Sequence, residues 1–322
     1  MGAILCLHSV TTSGLPAEGT AHVSVDAFES YVRVARHVGE IVPLSELLQR
    51  RARGRSTAGL VAVTLDDAYA ALGTELGEFL VHERVPIAVF VVSGAAAAGS
   101  AYWWDRIDDV FPRIPPARWR TFEEACGVPD DYRHGQPRSY GPLRPLRQWL
   151  LANYAGRWPE ALEHELQSLE TESGVRTCHR SMTFDEIEAL SAKTDVEVGV
   201  HTVSHPVLPL LSDAELRDEI LGCHAALQER FAGARPILSI PFGLYDDRTI
   251  RAARTAGMTA CLTLRGTLVD ARGDGYTLPR ICLNQGDSAA RLGLRLFGVT
   301  DRLRRWAGRG AARYPDLPSA TT

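Results

Sequence analysis

The chain reads as a parallel α/β protein, and three observations carry that reading. Apolar, β-branched runs of strand length alternate with stretches of helical spacing, the pattern of successive βαβ units. Several runs, Leu60–Leu65 above all, are apolar without alternation, as strands covered on both faces by helices must be. Residues able to do chemistry follow the runs: His8, then Asp66 and Asp67, then His201, then Pro241, Phe242 and Gly243. In parallel α/β folds the carboxyl ends of the strands form the face where ligands bind. About seven strands are expected, compatible with a barrel or with an open doubly wound sheet.

Ala3–Leu7 is the first strand and ends on His8, with a polar loop to about Thr20. Asp26 is placed to cap a helix over 26–38 that carries Phe28, Val32, Ala35 and Val38 on one face. Pro43 to Leu48 gives a second short helix, and the basic Arg50 to Arg55 segment a solvated loop. After Leu60–Leu65 a helix is expected from Tyr69 to His82. A buried strand follows from Val85 to Val92, with Pro86 near its start, where a missing donor is tolerated.

From about 93 to 180 the rhythm breaks. This stretch holds five of the six tryptophans: Trp103, Trp104, Trp119, Trp149 and Trp158. It reads as an insertion with helices near 144–153 and 158–170. Its aromatics anchor it to the rest of the fold or, for one or two, stack on a sugar ring. The rhythm then resumes with a helix over 182–192, a strand at 196–200, a helix over 213–231 and a strand at 236–240. A helix over 246–256 is closed by Gly257, and strands at 259–264 and near 277–283 complete the set. Residues 1–290 thus form one interrupted domain, and 291–322 a terminal helix and flexible tail. Over 291–309 Leu, Phe and Trp alternate with arginines. Packing on the domain with the arginines in water is the favoured use, and peripheral membrane contact the alternative.

With 45% hydrophobic and 23% charged residues the composition is that of an ordinary soluble domain, and a net charge of -4 gives nucleic acid no foothold. Six cysteines without CxxC spacing read as buried thiols of a reducing compartment. The N-terminus has neither a basic n-region nor a cleavage site, so a cytoplasmic location is expected.

Val196–Val200 delivers His201 and His205 together, and Pro206 keeps them off a long helix. The pair can therefore face one metal ion from a tight loop, or be a chance pair of surface histidines. Asp66 and Asp67 end an apolar strand, where adjacent carboxylates repel and lose hydration. A divalent cation resolves that conflict, and a helix N-cap before Tyr69 is the plainer alternative.

These segments resemble a known family. V-T-L-D-D-A at 63–68 resembles the T-F-D-D-G motif of the polysaccharide deacetylases (NodB-homology, carbohydrate esterase family 4), and H-T-V-S-H-P at 201–206 resembles H-[ST]-x-x-H-P. I-P-F-G at 240–243 is similar to Y-P-[FY]-G. I-L-C-L-H-S-V at 4–10 looks like the opening of members whose catalytic histidine motif lies at the N-terminus. The resemblance implies a distorted (β/α)7 barrel with a helical insertion, holding a divalent ion on Asp67, His201 and His205. Zinc is the first expectation, with cobalt, nickel or manganese behind it. Asp66 would be the general base and His8 the general acid, while Pro241, Phe242, Gly243, Tyr69, Trp103 and Trp104 would contact substrate.

Departures from the pattern sharpen the expectations. Leu65 stands for Phe, and Ala68 for Gly, which strains the turn if positive φ is needed. The third-motif Arg and the fourth-motif Asp-Trp are absent. Arg280 is therefore expected to orient Asp66, the alternative being a barrel-edge salt bridge. The implied reaction is hydrolysis of an N-acetylated amino sugar made inside the cell (saccharide, glycolipid precursor or natural-product intermediate), releasing acetate. Hydrolysis of another C–N bond, imide or ureide, and a non-catalytic carbohydrate-binding relative are the alternatives.

Overall fold

The apolar runs become the staves of a parallel sheet. The computed structural model describes residues 1–12, 22–133, 144–173, 179–269 and 275–306. β1 (Ala3–Leu7) opens the chain, and β2 (Ser9–Thr11) and β3 (His22–Ser24) pair only with each other. β4 (Glu40–Ile41), β5 (Leu60–Asp66), β6 (Ile87–Val91), β7 (Val196–Val200), β8 (Arg235–Ser239) and β9 (Ala260–Thr263) follow. β10 (Thr277–Pro279) and β11 (Ile281–Cys282) come last. The main sheet runs β10-β9-β8-β7-β6-β5-β1-β11, parallel throughout, with β4 beside β5.

β10 and β11 lie at opposite edges of that order, yet only Arg280 separates them in the chain. The strand expected at 277–283 is thus one stave broken at a single residue, its first half bonded to β9 and its second to β1. The two edges of the sheet meet there, giving a nearly closed barrel of seven staves once the halves are counted together. The open doubly wound alternative is thereby excluded.

β1, β5 and β6 are buried along their whole length. Ile4, Ala62, Ala88, Phe90, Ile237, Ala260, Leu262 and Leu278 cluster on one side of the staves, and a larger set including Leu5, Val61, Val63, Val89 and Val198 packs under the helices. Phe90 fits the first cluster because Gly199 lies beside it: a Cβ there would stand 2.5 Å from the ring.

α1 (Val25–Val38) is capped by Ser24, whose hydroxyl accepts from the Ala27 N–H, rather than by Asp26. α2 (Leu44–Ala52) carries Leu44 and Leu47 into the inner cluster and runs on through Arg50 and Arg51, supported by an Arg50–Glu46 pair one turn apart. The basic loop is therefore partly helix. The helix expected from Tyr69 to His82 is broken into α3 (Ala71–Thr74) and α4 (Gly77–Glu83).

The insertion contains α5 (Ser93–Ala98), α6 (Trp103–Val110), α7 (Pro116–Ala125), α8 (Arg144–Tyr154) and α9 (Glu163–Ser173). It has a hydrophobic core of its own, built from Trp103, Ile107, Trp119, Phe122, Trp149 and Leu166 among others. Most of its tryptophans therefore hold the insertion to itself, not to the barrel as expected.

α10 (Phe184–Ser191) and α11 (Asp213–Arg230) start with capping boxes, Thr183 with Glu186 and Ser212 with Glu215. α12 (Asp247–Thr255) is capped by Asp246. In place of one terminal helix there are two, α13 (Ala289–Leu296) and α14 (Val299–Trp306), separated at Gly298 with φ 69°. α13 packs through Leu292 and Leu296, while Leu294, Phe297 and Leu303 are exposed beside the arginines. No described helix is long and apolar enough to cross a membrane. Cys6, Cys126, Cys223 and Cys282 are thiols outside any disulfide. The polar loop over 13–21, Cys178 and the tail beyond 306 lie outside the described residues.

Candidate active site

The site is built on backbone that ordinary residues resist. After β5, Asp67 and Ala68 take φ of 68° and 51°, and in the loop after β7 Thr202 and His205 take 70° and 56°. Left-handed non-glycine residues cost on the order of 1–3 kcal/mol each and persist only where their surroundings over-determine them. Here those surroundings can be named. The Tyr102 hydroxyl donates to the Asp67 carbonyl at 2.6 Å, and the Met182 N–H to the Ala68 carbonyl at 2.7 Å. Glu219, from α11, accepts the Val203 and Ser204 N–H groups at 2.9 Å each. The strain anticipated for Ala68 is therefore present and held from outside the turn.

Both turns bring their side chains to one point. Asp67 Oδ1 lies 3.4 Å from His201 Nε2 and 3.5 Å from His205 Nε2. Ligand atoms bound at about 2.0–2.1 Å around a tetrahedral ion stand roughly 3.4 Å apart, so the three fit one divalent cation. Asp67 Oδ1 is buried with no hydrogen-bond partner, as an oxygen reserved for a cation would be. His201 Nδ1 meets the Ser239 carbonyl at 2.8 Å, which assigns the proton to that nitrogen and frees Nε2 for a ligand bond. Burial lowers the His205 pKa to about 3, so that ring is neutral. Burial also opposes charge on His201, but Asp66 and Asp67 outweigh it and pull its pKa up, a sign that the paired carboxylates demand positive charge.

Asp66 is held differently. Arg280, wholly buried where the last stave breaks, donates to Asp66 Oδ1 at 2.8 Å and Oδ2 at 2.7 Å. The Ser239 hydroxyl adds a third bond at 3.0 Å, and the Cys6 thiol approaches to 3.7 Å. Burial raises the Asp66 carboxyl, but the Arg280 guanidinium, with help from His201, more than reverses this and holds it well below the usual range. Arg280 thus meets Asp66 with two bonds in the barrel interior, not as a pair at the barrel edge. Cys6, His8 and Asp66 also bring possible ligand atoms within 4.8 Å of one another. Arg280 already neutralises Asp66, so of the two groups the one with Asp67 is the better able to hold a cation. His8 is only partly buried, beside a buried carboxylate.

A family model described as polysaccharide deacetylase matches residues 150–261, a span that includes His201, His205 and Pro241–Gly243. The deacetylase PplD of Streptococcus pyogenes, solved with acetate, shares the fold at 14% identity and a TM-score of 0.59, over 91% of this chain and 97% of that one. IcaB from Ammonifex degensii does so at 18% identity and 0.58, over 92% and 96%. Over 150–261 the sequence is similar to the polysaccharide deacetylases, and over the rest of the chain the likeness is one of fold. An uncharacterised protein of Streptomyces coelicolor is 40% identical over 91 residues, 28% of this chain. The chain spans about a third of the length of that curated relative, 36% of it.

The insertion supplies an aromatic wall beside the two histidines. Trp104, partly exposed, stands with its ring centroid 4.9 Å from His205 and stacks on Tyr102 at 4.7 Å. Phe242, at φ 55°, sets its ring 4.5 Å from His205 and 6.0 Å from Trp104. The other expected substrate contacts are placed elsewhere. Tyr69 is fully buried, its hydroxyl bonded to Asp105 and Trp104. Trp103 belongs to the insertion core and donates to the Gly156 carbonyl, and Pro241 is buried. Gly243, at φ 68°, is pressed against Leu264, which a Cβ would meet at 2.9 Å. Ser239, Tyr102, Asp105 and Glu219 were not expected at all. Only Ser239 carries a local signal, as the last residue of a strand.

Proposed function

We propose that the chain is a metal-dependent N-deacetylase of an amino sugar: a saccharide, a glycolipid precursor or a natural-product intermediate. The observation that carries the reading is the division of labour between neighbouring aspartates: Asp67 faces two imidazoles with an unpartnered oxygen, while Asp66 is clamped by Arg280.

When bound by Asp67, His201 and His205, a divalent ion, zinc by preference, supplies Lewis acidity toward the acyl oxygen and activates water at neutral pH. Asp66 is kept ionised by Arg280, so it can take the proton that water gives up as it attacks. The Tyr69 peptide N–H, at the turn, supports the developing oxyanion. His8, only partly buried, gives its proton to the departing nitrogen, releasing acetate and a free amine. Trp104 and Phe242 flank the sugar and keep water from the far side.

The test is metal analysis combined with acetate release from a panel of N-acetylamino sugars, for wild type, Asp66→Asn and His205→Ala. The expected result is one divalent ion per wild-type chain, lost in His205→Ala. Asp66→Asn should keep the ion and lose about 10²–10⁴ of the rate, the usual contribution of a positioned base. A wild-type protein that binds metal but releases no acetate removes the substrate class. One that binds no metal removes the mechanism.

A further inference from the structure

A polar network lies beneath the aromatic wall, and the proposed reaction makes no use of it. Asp105, in α6, is 1% exposed. Its Oδ1 meets His22 Nε2 at 2.8 Å, and its Oδ2 accepts the Tyr69 hydroxyl at 2.6 Å. That hydroxyl accepts from Trp104 Nε1 at 3.0 Å. Behind it, the His22 ring stands 4.5 Å from His179, which meets Asp109 at 3.0 Å. β3, the turn after β5, α6 and the return from the insertion all enter this one cluster.

Polar groups in a dry interior are costly, and apolar residues of similar volume would fill the same space. What apolar residues would not supply is direction. Between a carboxylate that can only accept and an indole N–H that can only donate, the Tyr69 hydroxyl has one arrangement open to it. It must therefore donate to Asp105 and offer a lone pair to Trp104. An indole has a single N–H donor, so fixing it fixes the plane of the ring. The same ring stacks on Tyr102, which holds the Asp67 carbonyl, and stands beside His205. The chain of contacts thus ends at two of the three metal-site residues.

We propose that Asp105 is a positioning residue, which through Tyr69 locks the Trp104 indole as a rigid wall against which the N-acetyl sugar is aligned beside His205. What the wall touches rests on the deacetylase reading. That the wall is ordered by Asp105 does not.

The experiment compares Asp105→Asn, Trp104→Phe and the double variant by three readouts: near-UV circular dichroism, thermal midpoint, and kcat and KM for acetate release. The signal of Trp104 is the dichroism lost in Trp104→Phe. Asp105→Asn should lose most of that signal and raise KM about tenfold, with kcat changed less than about threefold. Trp104→Phe added to it should change KM little further, because both act through one ring. Asp105→Asn that lowers the midpoint but keeps the Trp104 signal and KM shows a merely structural residue and overturns the proposal. So do KM effects that add in full. If wild type releases no acetate, the deacetylase reading falls, and the dichroism arm still decides whether Asp105 orders the wall.

Discussion

On the barrel side of the site, carboxylates are buried so that they stay charged. Asp66 is clamped by Arg280 and Asp67 is framed by two histidines, and both are held below the usual carboxylate range despite burial. On the insertion side, burial prevails at one carboxylate. Asp108, in α6, is driven up to about 6 by burial, although Arg147 is its partner. The barrel surrounds Asp66 and Asp67 with enough positive charge to outweigh their burial, while at Asp108 in the insertion burial outweighs the arginine. Opposite treatment of the same side chain separates the reacting floor from the supporting wall.

The sharpest way to break this contrast is Arg280→Met. Removing one partner of a buried pair leaves Asp66 uncompensated, and a loss of about 3–5 kcal/mol is expected from chemical denaturation. A loss near zero would mean that the clamp is not what keeps Asp66 charged.

The two regions should also respond to acid with opposite sign. A carboxyl with a depressed folded pKa, as in Asp66, contributes stability that is present above its unfolded value of about 4 and lost as pH falls through the folded value. For Asp108 the order is reversed. Its folded pKa of about 6 lies above the unfolded one, so stability is greatest below pH about 4 and declines as pH rises through 6, by on the order of 2 kcal/mol. Denaturation midpoints between pH 4 and 7 should show this decline, and Asp108→Asn should remove it. If the slope persists in that variant, it belongs to another group.

The smallest effect tests the barrel interior alone. Gly199→Ala places a methyl 2.5 Å from the Phe90 ring, and a destabilisation of about 1–3 kcal/mol is expected. The insertion core around Trp119 and Trp149 should be undisturbed, read by tryptophan fluorescence below the transition.

Legibility in the sequence follows the same division. His8, Asp66, Asp67 and His201 stand out because they end or follow local apolar runs, as the staves themselves are, and His205 because it stands four residues after His201 and just before Pro206. The wall was only half visible. Tryptophans announce burial but not which face they serve, so Trp103 and Tyr69 were expected at the surface of a site whose interior they form. Asp105 meets His22 across 83 residues and Tyr69 across 36, and no periodicity in the chain reports such a contact. Arg280 was found by what was missing, an arginine for the base. That it also sits at the break of the last stave was not visible, because 277–283 reads as one continuous run.

That break bears on how the protein comes into being. Asp66 and the arginine that arms it are 214 residues apart, and they meet only when the final stave docks on both edges of the sheet. During synthesis Asp66 is made early and gains its partner only when nearly the whole domain has emerged and closed. In the proposed reaction, catalytic competence is therefore a certificate of completed folding.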